Sequence, residues 1–346
     1  MQPIAQYVGL DVSLEETKAC AVDESGRPIW RGKCASTPDD IEKLVSKHAP
    51  NAARIGLETG MLSVWLFHEL KSCGLPVVCI DARHAKAALS LQINKTDAND
   101  AHGIAQIVRV GWYRQVLVKS MQTHAVRAMI TARAQLVSTA LKIKNTCRGL
   151  LKTFGVVLKI GSQRRYVQLV RAAIQDNPIL LTIVEPMLIA LTSLQEQITV
   201  FDSALYRRAY ADPVAKRLMS TPGVGVIVAL SYICTIEDPL RFRRSRTVAA
   251  YLGLTPKRFQ SGESDRTGRI SRAGDQSMRT LLYEAACVVL RRCSRPSPLK
   301  EWGKALSERI GSKRAIVAVA RKLAVILHHI WRDGTSFQWS VRPMIA

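Results

Sequence analysis

A chain of 346 residues is longer than one compact core usually serves, so two or three domains are expected. Its composition, 47% hydrophobic, is globular, which argues against a disordered or fibrous chain. A net charge of +23 and a pI near 10.1 set it apart from ordinary neutral enzymes and point to polyanionic partners.

That charge is unevenly placed. Residues 1–110 hold 12 Lys and Arg against 13 Asp and Glu, and the remainder holds 38 against 14. A near-neutral first part followed by a strongly basic one suggests a catalytic module joined to one that grips nucleic acid. The eight cysteines, Cys20, Cys34, Cys73, Cys79, Cys147, Cys234, Cys287 and Cys293, form no CxxC pair and fit a reducing cytosol. No signal peptide is expected. No run is expected to reach membrane-spanning length, since Arg321 and Lys322 interrupt Ala315–Ile330. A membrane partner is therefore not expected.

Taken in order, 5–13, 17–23 and 29–36 predict three strands, and Pro38–Ala49 a helix capped by Thr37. A short strand over 54–58, a helix over 62–73 and a buried strand over 76–81 follow. Helices are then predicted near 82–91 and from Asp97 to Val110. A three-strand meander followed by alternating helices and strands is the element order of a ribonuclease-H-like α/β domain. Actin-like ATPases and sugar kinases share that start, but no Gly-rich phosphate loop follows here.

Four acids stand at informative places in this order. Asp11 lies in an otherwise apolar strand, Glu58 ends the fourth strand, and Asp97 and Asp100 open the last helix, three residues apart on one face. Carboxylates gathered at one point repel unless a cation lies between them, and oxygen-only donors suit a hard ion, Mg²⁺ or Mn²⁺. Blander readings exist. Thr96 or Asp97 could be a helix cap with Asp100 in its first turn, and Asp11 or Glu58 a turn residue.

Residues 122–153 predict a long amphipathic helix. Pro178 and Pro186 suggest a break, with a further helix from Met187 to Tyr210. Together these read as a helical hairpin or coiled-coil arm suited to oligomerisation. A new domain is expected from about Ser220. There Pro222-Gly223-Val224-Gly225 resembles the turn of a helix–hairpin–helix element, whose glycines admit a phosphate to backbone N–H groups. Arg243 and Arg244 follow. Leu254 to Asp275 reads as a loop rich in glycine and serine, with Lys257, Arg258, Arg266, Arg269 and Arg272 as phosphate contacts. A serine among these arginines could attack phosphorus, or could simply cap a turn. Helices over 276–292, 299–310 and 313–331 close the chain before a tail over 341–346.

Asp11 in Gly-Leu-Asp-Val-Ser, Glu58 in Leu-Glu-Thr-Gly, and Asp97 with Asp100 in Lys-Thr-Asp-Ala-Asn-Asp together resemble the DEDD motif of a distinct insertion-sequence transposase family. Pro222-Gly-Val-Gly, Tyr251-Leu-Gly-Leu-Thr-Pro256, Ser261-Gly262 and Gly268-Arg-Ile-Ser-Arg-Ala-Gly-Asp275 resemble its transposase domain. The resemblance implies a RuvC-like DEDD domain over 1–115, a coiled-coil arm over 116–212 and a mostly α transposase domain over 213–340. It further implies that the four acids hold Mg²⁺ and that a serine forms a covalent phosphoserine link to DNA. A structured bridge RNA would pair with donor and target DNA, and dimers would meet as a tetramer. By position in the motif the serine is Ser261, with Ser264 and Ser271 close by; Gln260 stands where relatives often show another serine. The expected location is the bacterial cytoplasm, at the nucleoid. Two other readings remain at this point: a RuvC-like junction endonuclease that uses water, and a non-catalytic nucleic-acid-binding protein.

Overall fold

Tyr7, Gly9 and Asp11 alternate with Val8, Leu10 and Val12 along the first strand, and this period of two decides how the first part of the chain folds. The structure is a computed structural model that describes residues 4–90, 97–158 and 165–340. It divides after Ser120 into two units. The expected arm and C-terminal helices both fall in the second. Asn94 to Thr96, including the cap considered for Thr96, and the tail over 341–346 lie outside the described residues.

In the first unit, β1 (Gln6–Val12), β2 (Glu16–Val22), β3 (Pro28–Ala35), β4 (Ala52–Glu58) and β5 (Val77–Ile80) form one sheet in the order β3-β2-β1-β4-β5. The first three are antiparallel; β4 runs parallel to β1, and β5 parallel to β4. The even residues of β1, Val8 and Leu10, turn to one face with Ile55 and Leu57. They pack there against Ile41 and Val45 of α1 (Pro38–His48) and Leu66 and Leu70 of α2 (Ser63–Ser72). On the other face Cys20 and Val22 meet Ala101 and Ala105 of α4 (Asp97–Val110), and Ile80 joins Ile104 and Val108. The short α3 (Ala82–Leu89) precedes α4.

Two glycines let α4 approach so closely. Gly9 and Gly56 are register partners on β1 and β4. A Cβ on Gly9 would strike the carbonyl oxygen of Ala101 and the amide of Ala105, and one on Gly56 would lie 2.5 Å from Val108 Cγ1. Only residues without a side chain fit beneath this helix.

The second unit begins with α5 (Met121–Thr153), α6 (Tyr166–Ile174) and α7 (Pro178–Ala211). The expected break between Pro178 and Pro186 is absent, because α7 runs unbroken through Pro186. Pro178 sits in the first turn, where its missing N–H is no loss. Pro186 costs about 3 kcal/mol in a helix interior. That is offset by burial of Leu180, Val184, Leu188 and Leu191, each worth ~2 kcal/mol, against Cys147, Leu151, Tyr166 and Val170. No helix was expected at α6, whose Tyr166, Val170 and Ile174 complete this arm core.

The expectation that no run reaches membrane-spanning length is also corrected. By length and composition α7 is long and apolar enough to cross a membrane. One side of it closes the arm core, while Ile179, Ile183, Ile189 and Val200 stay exposed.

A second core unites the ends of α5 and α7 (Val126, Leu205, Ala209) with α8 (Pro213–Met219), α9 (Val226–Ile236), α10 (Arg246–Tyr251), α11 (Gln276–Arg291), α12 (Pro298–Ile310) and α13 (Ser312–Asp333). The stretch expected as loop between Leu254 and Asp275 is instead largely a two-stranded hairpin, β6 (Pro256–Ser261) and β7 (Ser264–Ile270). Its strands carry too many polar residues to show an apolar alternation, because neither face of it is buried.

Candidate active site

The register that pairs Gly9 with Gly56 and Leu10 with Leu57 leads, one residue on, to Asp11 and Glu58. Neighbouring strands lie about 4.8 Å apart, and both acids follow a glycine by two residues. Each therefore faces the α4 side of the sheet, at the same level of the two central strands. Both are half-buried.

Helix α4 delivers the other two acids. Asp97 stands one turn before the buried Ala101, and Asp100 one turn before the buried Ile104, so both continue the stripe that rests on the sheet. Lys18 of β2 ties this end of the helix to the sheet. It is the register partner of Asp11, and its Nζ donates to Asp97 Oδ2 at 2.7 Å. The hydrogen bond to Asp97 raises the pKa of Lys18, and the charges of Asp97, Glu16 and Asp11 add to the effect. The structure thus brings Asp11, Glu58, Asp97 and Asp100 to one face and one end of the sheet. Among the described residues, no three His, Cys, Asp or Glu side chains close around a single point. The ammonium of Lys18 already supplies positive charge to Asp97.

Sequence reading missed Lys18; its only signal was the place opposite Asp11 in the predicted β1–β2 meander. A further acid, Asp81, follows β5 at the same end of the sheet. Its carboxylate accepts from the backbone N–H of Arg83 at 3.0 Å and holds the Arg83 guanidinium at 3.0 Å. Those Arg83 hydrogen bonds keep its pKa below the ordinary aspartate value.

In the second unit the hairpin decides how Ser261 is presented. Gly262, at φ 54°, occupies the first central position of the two-residue turn, where a left-handed residue suits the twist of the strands. Ser261 pairs with Ser264 across that turn, and Phe259 pairs with Arg266. Cross-strand partners share a face. Ser261, Ser264, Phe259, Arg266 and Lys257 therefore lie on one side, all exposed. Arg258 and Asp265 lie on the other, joined by two hydrogen bonds of 2.8 and 2.6 Å. The expected phosphate contact Arg258 thus has its fork engaged by a carboxylate. Ser271 sits at the base, where its N–H donates to the carbonyl of Thr255 at 2.8 Å and its hydroxyl accepts from the N–H of Ala273 at 3.4 Å.

The base is built tightly. Gly253 and Gly274 take φ of 70° and 75°, and a Cβ on Gly274 would meet the carbonyl of Tyr251. Arg279 Nη1 donates to the carbonyls of Leu252, Ala273 and Gly274 at 3.3, 2.7 and 3.1 Å. Asp275 caps α11 through the N–H of Met278 and pairs with Arg127 of α5, both at 3.0 Å.

The turn before α9 divides its two glycines. Gly223, at φ 80°, packs so that a Cβ would strike the carbonyl of Ala285, so its smallness serves contact with α11 rather than a phosphate. Gly225 is exposed as the N-cap of α9, with open space where its Cβ would be. Arg243 and Arg244 are exposed between a 3-10 turn (Pro239–Arg241) and α10, while the guanidinium of Arg241 lies over the rings of Phe242 and Tyr251.

Two family models match the chain, the first extending past Ser120 through α5. Residues 8–155 match the DEDD domain of IS110 type described as "Transposase", and residues 215–301 match the "Transposase IS116/IS110/IS902 family". The chain is 30% identical over 330 residues to the transposase for insertion sequence element IS1111A of Coxiella burnetii, covering 93% of this chain and 88% of that one. It is 28% identical over 246 residues to the transposase for IS1328 of Yersinia enterocolitica, covering 70% and 74%. It is 26% identical over 148 residues to the pilin gene-inverting protein of Moraxella lacunata, covering 41% and 45%.

Proposed function

Because this chain belongs to the IS110/IS116 family of insertion-sequence transposases, we propose that it is an RNA-guided DNA recombinase that cuts and rejoins strands through a phosphoserine link at Ser261. The observation that carries the reading is the shared register of Gly9-Leu10-Asp11 and Gly56-Leu57-Glu58 beneath α4, which sets acids on one face. The sheet order β3-β2-β1-β4-β5 supports a ribonuclease-H-like, RuvC-like frame for them.

A DEDD transposase domain is typically metal-dependent. The donor set is oxygen alone, which fits a hard cation, and Lys18 already lodges a positive charge on Asp97. Asp11, Glu58, Asp97 and Asp100 would hold Mg²⁺ or Mn²⁺, and such an ion when bound supplies positive charge beside the phosphate under attack. Ser261 Oγ forms a bond to phosphorus as the bond to the departing strand oxygen breaks, and the seryl proton ends on that oxygen. Lys257 and Arg266, on the same hairpin face, hold the phosphate oxygens. The reverse step rejoins a strand without an external energy source, since the serine ester retains the phosphodiester bond energy.

Sequence choice in this reading rests with a bridge RNA that pairs with donor and target DNA. Exposed Gly225, Arg243 and Arg244, with the arginines near the hairpin, hold nucleic acid by its phosphates. The apolar side of α7 supports assembly of dimers into a tetramer through the arm. The site of action is the bacterial nucleoid.

Incubation of the full chain with its element-end DNA, guide RNA and Mg²⁺ is expected to yield a protein–DNA adduct that survives denaturation and disappears on proteolysis. Nicked DNA with free ends and no adduct would replace this reading with a water-using junction endonuclease. No cleavage at all, unchanged by Asp97→Asn, would leave only nucleic-acid binding.

Lys18 yields a separate expectation. Lys18→Gln removes the ammonium that competes for Asp97, so calorimetric titration with Mn²⁺ in the absence of DNA should show binding tightened by about tenfold. Equal affinity in both proteins would mean that Lys18 does not share the ion's place.

A further inference from the structure

An open cleft of about 940 Å³ lies between the base of the hairpin and the N-terminal half of α13. Arg269 and Arg272 line it from the hairpin side, and Lys313, Arg314 and Arg321 from α13. No acid lines it, and among the described residues none of these five cations has an ion-pair partner. Like charges facing one another across a cleft repel, and nothing in the described chain neutralises them. Arg272 also holds φ at 56°, a left-handed conformation that costs a residue with a side chain about 1 kcal/mol. The close crossing of Gly253 over Ala273 keeps it there.

The shape narrows the choice of anion. Lys313 and Arg321 are eight residues apart on one helix, about 12 Å along its axis, so the cations form a row rather than a pocket for one phosphate. Leu254, Ile270, Val317 and Ala318 make the floor apolar. A duplex turns sugar and phosphate outward and would leave that floor wet. Unpaired bases have apolar faces that can cover it. A second cleft of about 440 Å³ shares Leu254, Ile270 and Arg272 with the first and extends the trough to Arg279 and the exposed ring of Tyr283.

We propose that this trough binds an unpaired stretch of DNA, its phosphates along the α13 cations and its bases over the apolar floor. Pro256 and Thr267, which line it, lie on the hairpin face away from Ser261. The occupant is therefore a strand segment beside the attacked bond and not that bond. This rests on the proposed function in one respect: strand exchange requires DNA to be opened near the hairpin.

The test uses the full chain and fluorescence anisotropy with a labelled thymidine oligonucleotide of about twelve residues. Lys313→Gln/Arg314→Gln/Arg321→Gln is expected to weaken binding by more than tenfold and to reduce the log–log salt slope by about 2, at roughly 0.7 per lost phosphate contact. The same charge removed from the arm, as Lys142→Gln/Arg207→Gln/Arg208→Gln, should change affinity by less than about twofold. Val317→Glu, an exchange on the trough floor, should weaken single-strand binding while leaving duplex affinity within about twofold. All the substituted positions are exposed or half-exposed, and circular dichroism checks that each variant is folded. If the α13 variant binds no worse than the arm variant, the trough is not the site. A trough-dependent preference for RNA over DNA of the same sequence would overturn the DNA assignment. The oligonucleotide is bound without being cut, so this result stands or falls separately from the serine chemistry.

Discussion

Ser261→Ala is expected to lower covalent protein–DNA adduct by about a thousandfold or more while leaving DNA affinity within about twofold. The change deletes one hydroxyl from an exposed residue at the end of β6, beside a turn set by Gly262 and above a base fastened by Arg279. Substitutions at such exposed positions usually alter stability by less than about 0.5 kcal/mol, so loss of adduct would report chemistry rather than unfolding. Ser264 is the necessary comparison. It is the cross-strand partner of Ser261 and shares its face, so both hydroxyls lie within about 5 Å of one place. Ser264→Ala should retain most adduct. Retention in Ser261→Ala with loss in Ser264→Ala would move the nucleophile across the turn. Ser271 is a weaker competitor, since its hydroxyl is turned to the backbone at Ala273.

Gly9→Val should also be damaging, from a position that does no chemistry. Its Cβ would enter the space of the Ala101 carbonyl and the Ala105 amide, which are backbone atoms and cannot move aside as a flexible side chain would. Overpacking of this kind typically costs about 1–3 kcal/mol, and more where the neighbour is rigid. Relief requires α4 to lift from the sheet, and that carries Asp97 and Asp100 away from Asp11 and Glu58. A displacement of ~1 Å at a reacting centre can cost on the order of 100-fold in rate. A lower melting temperature together with cleavage reduced about a hundredfold is expected. A variant with wild-type melting and cleavage would show that α4 does not rest on β1 through this glycine.

Much of the first unit was legible because its side chains alternate between two buried faces. The apolar period over Asp97–Val110 predicts a helix with the bounds that the structure gives α4. The repeated signal Gly-Leu-acid, at Gly9-Leu10-Asp11 and Gly56-Leu57-Glu58, was also in plain view. Its meaning was not, since only strand pairing reveals that the two triplets lie side by side. The second unit was less readable. A proline usually ends a helix, and at Pro186 the arm core overrode that tendency. In sequence the hairpin has the character of a loop because period-two patterning appears only where one face is buried, and β6 and β7 bury neither.

Residue order alone determined the identity of the acids, the basic character of the second half, the helix that begins at Asp97 and the serine beside Gly262. These are local properties, set by composition, side-chain period and turn chemistry. Tertiary structure decided which residues share a surface: Lys18 with Asp97, Ser264 with Ser261, and the cations of α13 with those at the hairpin base. Such pairings join residues as far apart as Lys18 and Asp97. They depend on register and packing across the whole unit, which no local window of sequence contains.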